Sequence, residues 1–185
     1  MAAILSVSGS PSAVSRTAHL LRHVTSRLTR HGHEVATLNV RTLPADALLG
    51  ADFHHPAIVE AAARFEHADG VVIGTPVYKA AYSGLLKALL DLLPQYALAG
   101  KTVLPLATGG STAHVLAIDY ALRPVLSSMG AAHIVQGRFT LDRDIAVGDE
   151  RADIDPAAAD ALDRATDAFS TALPGRPANI LASTA

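Results

Sequence analysis

The chain has 185 residues, 50% hydrophobic and 17% charged, with 15 Lys+Arg against 17 Asp+Glu and a formal net charge of −2. That length suits one domain of roughly 100–200 residues. The near-neutral balance excludes the basic footprint of a dedicated nucleic-acid binder and argues against the strongly acidic surface of an electron carrier. Cysteine is absent, which excludes disulfides, zinc ribbons, iron–sulfur ligation and thiol nucleophiles. No basic n-region opens the chain and no apolar run approaches the ~20 residues that span a bilayer, so no membrane association and a cytoplasmic location are expected.

Taken in chain order, runs rich in β-branched residues alternate with helical patterns. Ala2–Ser8 reads as a strand apolar on both faces. Ser15–Arg30 carries Leu20, Leu21, Val24 and Leu28 at helical spacing. Glu34–Val40 reads as a second strand, Ile58–Ala68 as a helix and Gly70–Thr75 as a third strand. Ser83–Leu93 is a helix with a wide leucine face, and Lys101–Ala107 is a fourth strand. Ala113–Met129 is a helix with an interruption, His133–Phe139 a fifth strand, and Pro156–Leu173 a final helix opening on a favoured N1 proline. The acid-rich run 140–155 fails the EF-hand spacing at Ala146 and Val147 and reads as a solvated loop. One domain over 1–173 and a loose tail over 174–185 are expected. Five strands alternating with helices predict a parallel sheet covered on both faces, wound in flavodoxin-like or Rossmann order.

Ligands of open parallel sheets bind beyond the carboxyl ends of the strands, and three of those ends carry polar or small residues. After strand 1, Ser10, Ser15 and Thr17 supply hydroxyls, Arg16 supplies a fork suited to phosphate, and a helix start supplies free N–H groups. Neither the P-loop nor the GxGxxG pattern is present, and a plain Ser-capped turn is the other reading. After strand 3, Pro76, Val77, Tyr78 and Lys79 form either an apolar wall for a flat ligand or a rigid turn with a surface tyrosine. After strand 4, Thr108, Gly109 and Gly110 allow close backbone approach, or a flexible turn before a Ser-capped helix. In the order 2-1-3-4-5 the first and third turns flank the switch point, where FMN sits in flavodoxin-like sheets.

The run GTPVYKAAYSGLLKALLDLLP at 74–94 resembles the flavin-site and dimer-helix motif of NAD(P)H-dependent FMN reductases. The run KTVLPLATGGSTAHVLAIDYALRPVLSSMGA at 101–131 more specifically resembles the FMN reductase component of two-component alkanesulfonate monooxygenase systems. The resemblance covers about residues 3–140. It implies a flavodoxin-like doubly wound α/β fold, with a five-stranded parallel sheet in the order 2-1-3-4-5 and helices on both faces. It also implies a homodimer or homotetramer, and reduction of FMN by NADPH or NADH. By the same resemblance Ser10, Ser15, Arg16 and Thr17 hold the flavin phosphate. Pro76, Val77, Tyr78 and Lys79 line the isoalloxazine ring, and Thr108, Gly109 and Gly110 form the third flavin loop. The chain departs from its relatives at Ser12, where an arginine is usual. The partner implied is an FMNH2-dependent monooxygenase that desulfonates alkanesulfonates.

Hydride transfer between nicotinamide and flavin needs no protein nucleophile, so no strict catalytic residue is assigned. Lys79 is the electrostatic candidate, stabilising the anionic reduced flavin or a nucleotide phosphate. In the resembling reductases one inserted residue makes a π-bulge, with a tyrosine at the subunit interface, and flavin leaves as a product. Tyr120 matches that position. Pro124 supports it independently, since it has no N–H for the carbonyl of Tyr120. A flavin-retaining quinone, azo or metal-oxyanion reductase and a flavodoxin-like electron carrier are the alternatives. The nine histidines lack metal-site spacing and read as surface residues, except His114, which either approaches the flavin or caps the turn. No metal is expected.

Overall fold

A computed structural model describes residues 1–147 and 152–174. Its elements are β1 (Ala3–Ser8), α1 (Arg16–Arg30), β2 (Glu34–Asn39), α2 (Ala45–Leu49), α3 (Pro56–His67), β3 (Gly70–Tyr78), β4 (Ala81–Tyr82), α4 (Gly84–Leu92), β5 (Thr102–Gly109), a π-helical turn (Ile118–Leu122), α5 (Arg123–Ser128), β6 (His133–Ile134), β7 (Arg138–Leu141), β8 (Ile145–Val147), β9 (Ala152–Ile154) and α6 (Pro156–Ala172). The expected tail lies outside the described residues from Gly175 onward.

The parallel ladder runs β2-β1-β3-β5, with β6 and then β7 completing the fifth position. This is the flavodoxin-like order 2-1-3-4-5, and the Rossmann alternative does not apply. Alternation along each strand feeds two cores. Leu5, Val7, Val71, Ile73 and Val103 pack under α2–α5, while Ile4, Val72, Leu104 and Leu106 pack under α1 and α6. A third, small cluster of Val77, Ala107, Ala117, Ile118 and Phe139 sits beneath the π turn.

Three expectations need correction. The fifth strand is not continuous. Val103 to Leu106 is three steps on β5, but their partners Ile134 and Arg138 are four apart, so one extra residue bulges out. The bulge lies opposite Pro105, which has no N–H to give a ladder. Second, the described residues of 140–155 do not form a loop. β7 runs to Leu141, a 3₁₀ turn follows, and β8 pairs β9 as a hairpin whose Ile145 is buried in the α1–α6 core. Third, His19 is buried rather than a surface residue.

α6 is fastened to α1 by charge as well as by Leu162 and Phe169. Arg27 bridges Asp163 at 2.9 Å and Asp167 at 2.7 Å, and His23 meets Asp163 at 2.7 Å. The hydrogen bond from Arg27 holds the Asp167 carboxyl below its ordinary value of 3.8. A carboxylate depressed in this way stabilises the fold fully above the unfolded value. That contribution fades as pH falls through the lower folded value. Asp167→Asn should therefore lower Tm at pH 7 and make stability fall less steeply below pH 4, measured by thermal melts across pH; parallel acid limbs for both proteins would refute this linkage.

Candidate functional site

The carboxyl ends of β1, β3 and β5 are joined by direct hydrogen bonds. Gly9 N–H donates to the Gly74 carbonyl at 2.8 Å. The Ser83 hydroxyl donates to the Gly9 carbonyl at 2.5 Å, and the Ser83 N–H donates to Thr75 Oγ1 at 2.9 Å. Thr17 Oγ1 and Thr108 Oγ1 share a hydrogen bond of 2.7 Å, tying the start of α1 to the end of β5. Gly9 is required here, because a Cβ would stand 2.7 Å from Leu86 Cβ at the first turn of α4. Ser83 also caps α4 by accepting from Leu86 N–H at 3.1 Å. The three turns marked in the sequence thus form one surface. Sequence reading missed Ser83 and Thr75, whose partners lie 74 and 8 residues away.

In the first turn, Ser10, Ser15 and Thr17 are buried and Arg16 is exposed. Ser15 is the N-cap of α1 and accepts from Ala18 N–H at 3.1 Å. Ser10 accepts from Ser12 N–H, and the Ser12 hydroxyl donates to the Val14 carbonyl at 2.6 Å, so Ser12 shapes the turn. No acidic residue occupies the first turn of α1. The positive helix end and Arg16 therefore act together on the solvent at this edge.

The second stretch is not a loop after β3, as expected. Pro76, Val77 and Tyr78 continue β3 itself, and Val77 and Tyr78 pair with Tyr82 and Ala81 of β4. Lys79 and Ala80 form the two-residue hairpin turn, with φ of 51° and 63°. Both angles match a type I′ turn, which favours Asn-Gly. A non-glycine residue held there costs on the order of 1 kcal/mol. The hairpin leaves Val77 buried and Tyr78 and Lys79 exposed at its tip.

Thr108 and Gly109 likewise belong to the end of β5, and Gly110 follows. A Cβ on Gly109 would press to 3.0 Å from the Phe139 ring, whereas one on Gly110 would meet nothing nearer than Asp142 Oδ2 at 3.8 Å. Gly110 thus faces open space. Beyond it, Ser111 caps the short turn Thr112–His114. His114 is half-buried, and its Nδ1 is buried with no hydrogen-bond partner among the described residues.

The interruption near Tyr120 is a π-helical turn. Arg123 N–H reaches back five residues to the Ile118 carbonyl. Pro124 follows at once and gives no N–H to the Tyr120 carbonyl. Arg123 locks the turn in place: Nε donates to Asp119 at 3.1 Å, and its two terminal nitrogens donate to the carbonyls of Ile134 and Val135 at 2.9 and 3.2 Å. Tyr120 projects from it, 79% exposed. A groove of about 780 Å³ lies at the opposite, amino edge of the sheet beside Leu93 and Lys101, away from these turns.

The family model described as NADPH-dependent FMN reductase matches residues 2–145. The chain is 46% identical to FMN reductase (NADPH) of Pseudomonas putida over 176 residues, 94% of this chain and 89% of that one. It is 43% identical to FMN reductase (NADPH) of Escherichia coli K12 over 177 residues, covering 96% and 93%. The crystal structure of an NADH:FMN oxidoreductase (EMOB) in apo form superposes with a TM-score of 0.85 at 45% identity, covering 96% of this chain and 92% of that chain.

The strained hairpin turn gives a direct check on this geometry. Ala80→Gly should raise stability by roughly 0.5–1 kcal/mol, since glycine takes φ > 0 without the Cβ penalty; a lowered denaturation midpoint would show that the turn is not held in that conformation.

Proposed function

The chain belongs to the NADPH-dependent FMN reductase family, and on that premise we propose that the joined turns of β1, β3 and β5 are its flavin site, from which reduced FMN passes to a flavin-dependent monooxygenase. FMN and a reduced nicotinamide nucleotide are the reactants. Bound together, they supply the hydride acceptor and donor, so the protein's task is to bind, align and release.

The residues at the edge fit the flavin. Arg16 makes no ion pair among the described residues, and α1 begins there without an acidic side chain. With the hydroxyls of Ser10, Ser15 and Thr17, that is a donor set for a dianionic phosphate. Val77 and Tyr78 offer an apolar wall, Gly109 and Gly110 bare backbone, and the orphaned Nδ1 of His114 a polar atom that a ring edge can engage. Lys79 at the hairpin tip places a positive charge beside this surface. The observation that carries the reading is the hydrogen-bonded union of the three turns, because a phosphate cradle and a ring holder act on one nucleotide only if fixed relative to each other.

Release, as opposed to retention, is supported by the π turn. It sets Tyr120 outward beside the site, on a surface that a second copy can cover, and a homodimer or homotetramer is the assembly we infer. By the same reading the monooxygenase acts on alkanesulfonates. Among the described residues no helix is long and apolar enough to cross a membrane, and we place the enzyme in the cytoplasm, where its nicotinamide reductant is made.

Arg16→Ala should raise the FMN dissociation constant about 10-fold or more, in line with the loss of one charge-assisted hydrogen bond, while riboflavin binding changes less than twofold. Equal losses for both ligands would show that Arg16 does not meet the phosphate. Deletion of Tyr120 should restore i to i+4 bonding and yield yellow protein that keeps FMN through purification. A colourless and active deletion protein would separate the π turn from flavin release.

A further inference from the structure

The sheet face beneath α1 changes character along β1 and β2. Near the amino ends, Ile4 and Val35 pack with Leu20, Leu21 and Val24. The next positions on the same face are Ser6 and Thr37, then Ser8 and Asn39, which are register partners in the ladder. A sheet face covered by a helix is ordinarily apolar throughout. Ser6 and Ser8 are buried, yet neither hydroxyl is bonded to another group among the described residues. These four side chains, with Thr25 and Arg22 from α1, line a cavity of about 300 Å³.

Arg22 is the cation of this cavity. It makes no ion pair among the described residues, and its guanidinium rests on Nδ1 of His19. Burial, and then the charge of Arg22, hold His19 below its usual value. The imidazole is therefore neutral near pH 7 and accepts from the guanidinium. It orients Arg22 without cancelling its charge. Hydroxyls and an amide on the walls with one guanidinium at the rim complement a ribose that bears a phosphate. The volume sits at the low end of small-ligand sites, roughly 300–1,000 Å³, so it admits a phosphoribose and not a whole dinucleotide. Ser8 leads directly into Gly9 and the first flavin turn, which puts the cavity next to that turn on its β2 side. Arg22 lies six residues past Arg16, about 9 Å along α1, a spacing that lets the two arginines serve separate phosphates.

We propose that this cavity receives the 2′-phosphoribose of NADPH, with Arg22 on the phosphate and Ser8, Thr37 and Asn39 on the sugar. Arg22 is then the residue that selects NADPH over NADH. The assignment rests on the reductase reading above. It goes further by naming how the nucleotide is chosen.

The test is calorimetric titration of flavin-free protein with adenosine 2′,5′-bisphosphate and with 5′-AMP, alongside FMN titrations and steady-state kinetics with both nicotinamide nucleotides. The bisphosphate is expected to bind at least 10-fold more tightly than AMP. Arg22→Ala is expected to abolish that preference and raise KM for NADPH about 10-fold, with KM for NADH and the FMN dissociation constant within twofold of the parent. Arg22→Lys is expected to recover part of the preference. Equal binding of the two probes by the parent protein would overturn the proposal, as would an unchanged NADPH/NADH ratio in Arg22→Ala. Loss of FMN affinity in Arg22→Ala would assign the cavity to the flavin phosphate and overturn it too. If the parent bound the bisphosphate preferentially but reduced no flavin, the reductase reading would fail and the phosphoribose site would stand.

Discussion

The hydrogen bonds among the ends of β1, β3 and β5 are the constraint on which the site depends. Parallel strands in register bring their carboxyl ends to one edge but leave the turns beyond them free to diverge. Ser83 prevents that for the first two turns by bonding Gly9 with its hydroxyl and Thr75 with its N–H. The Thr17–Thr108 bond does so for the third. All four of these side chains are buried, where a hydrogen bond is stronger and an orphaned partner more costly than at the surface. The edge is consequently fixed where the three turns meet, and Tyr78 and Lys79 stand exposed at the hairpin tip beside it.

The π turn and the broken fifth strand are two halves of one arrangement. Pro105 denies β5 a donor, and the partner strand bulges opposite it. Gly137 in the bulge is pressed so closely that a Cβ would lie 2.8 Å from Ile118, the first residue of the π turn, and 2.8 Å from the Pro105 carbonyl. The bulge turns the carbonyls of Ile134 and Val135 toward Arg123, the residue that closes the π turn. The Arg123 side chain, carried at the end of the widened helix, therefore satisfies the carbonyls of the irregular strand segment, consistent with the rule that buried carbonyls find partners. Loss of the Arg123 side chain would leave those two carbonyls without these donors.

Much of this was legible in the sequence because it rests on local rules. The two-sided apolar strands, the leucine periodicity of α1 and α4, and the Ser15, Ser83 and Pro156 helix starts are all readable within a few residues. Pro124 announced the π turn for the same reason. What stayed hidden depends on distant partners or on broken preferences. Ser83 reads as an ordinary N-cap until Gly9 is seen beside it. Lys79-Ala80 contradicts the residue choice of a type I′ turn, so no pattern could reveal the hairpin that converts Pro76–Tyr78 from loop to strand. The hairpin of β8 and β9 was masked by its acids, although the apolar Ile145 and Ile154 that pair across it carry the fold there.

The same contrast between local pattern and tertiary context bears on how the two faces of the sheet divide the work. Under α3 and α4 the strand residues Leu5, Val7, Val71, Ile73 and Val103 are apolar, and polarity enters that face only at Thr75, where Ser83 of the α4 start bonds it. Under α1 the polarity rises toward the carboxyl edge, through Ser6 and Thr37, Ser8 and Asn39, and across to Thr17, Thr108 and Thr140. Alternation alone cannot distinguish such a face from a solvated one, because its period is identical. The difference is that a helix lies over it. Hydroxyls kept beneath a helix lower the apolar burial available to hold that helix down. α1 is accordingly secured from its other side, where Arg27 and His23 grip Asp163 and Asp167 of α6. The charged clamp and the polar underside belong together: the first holds α1 in place while the second leaves hydroxyls and an amide beneath it, next to the end that Ser15 caps.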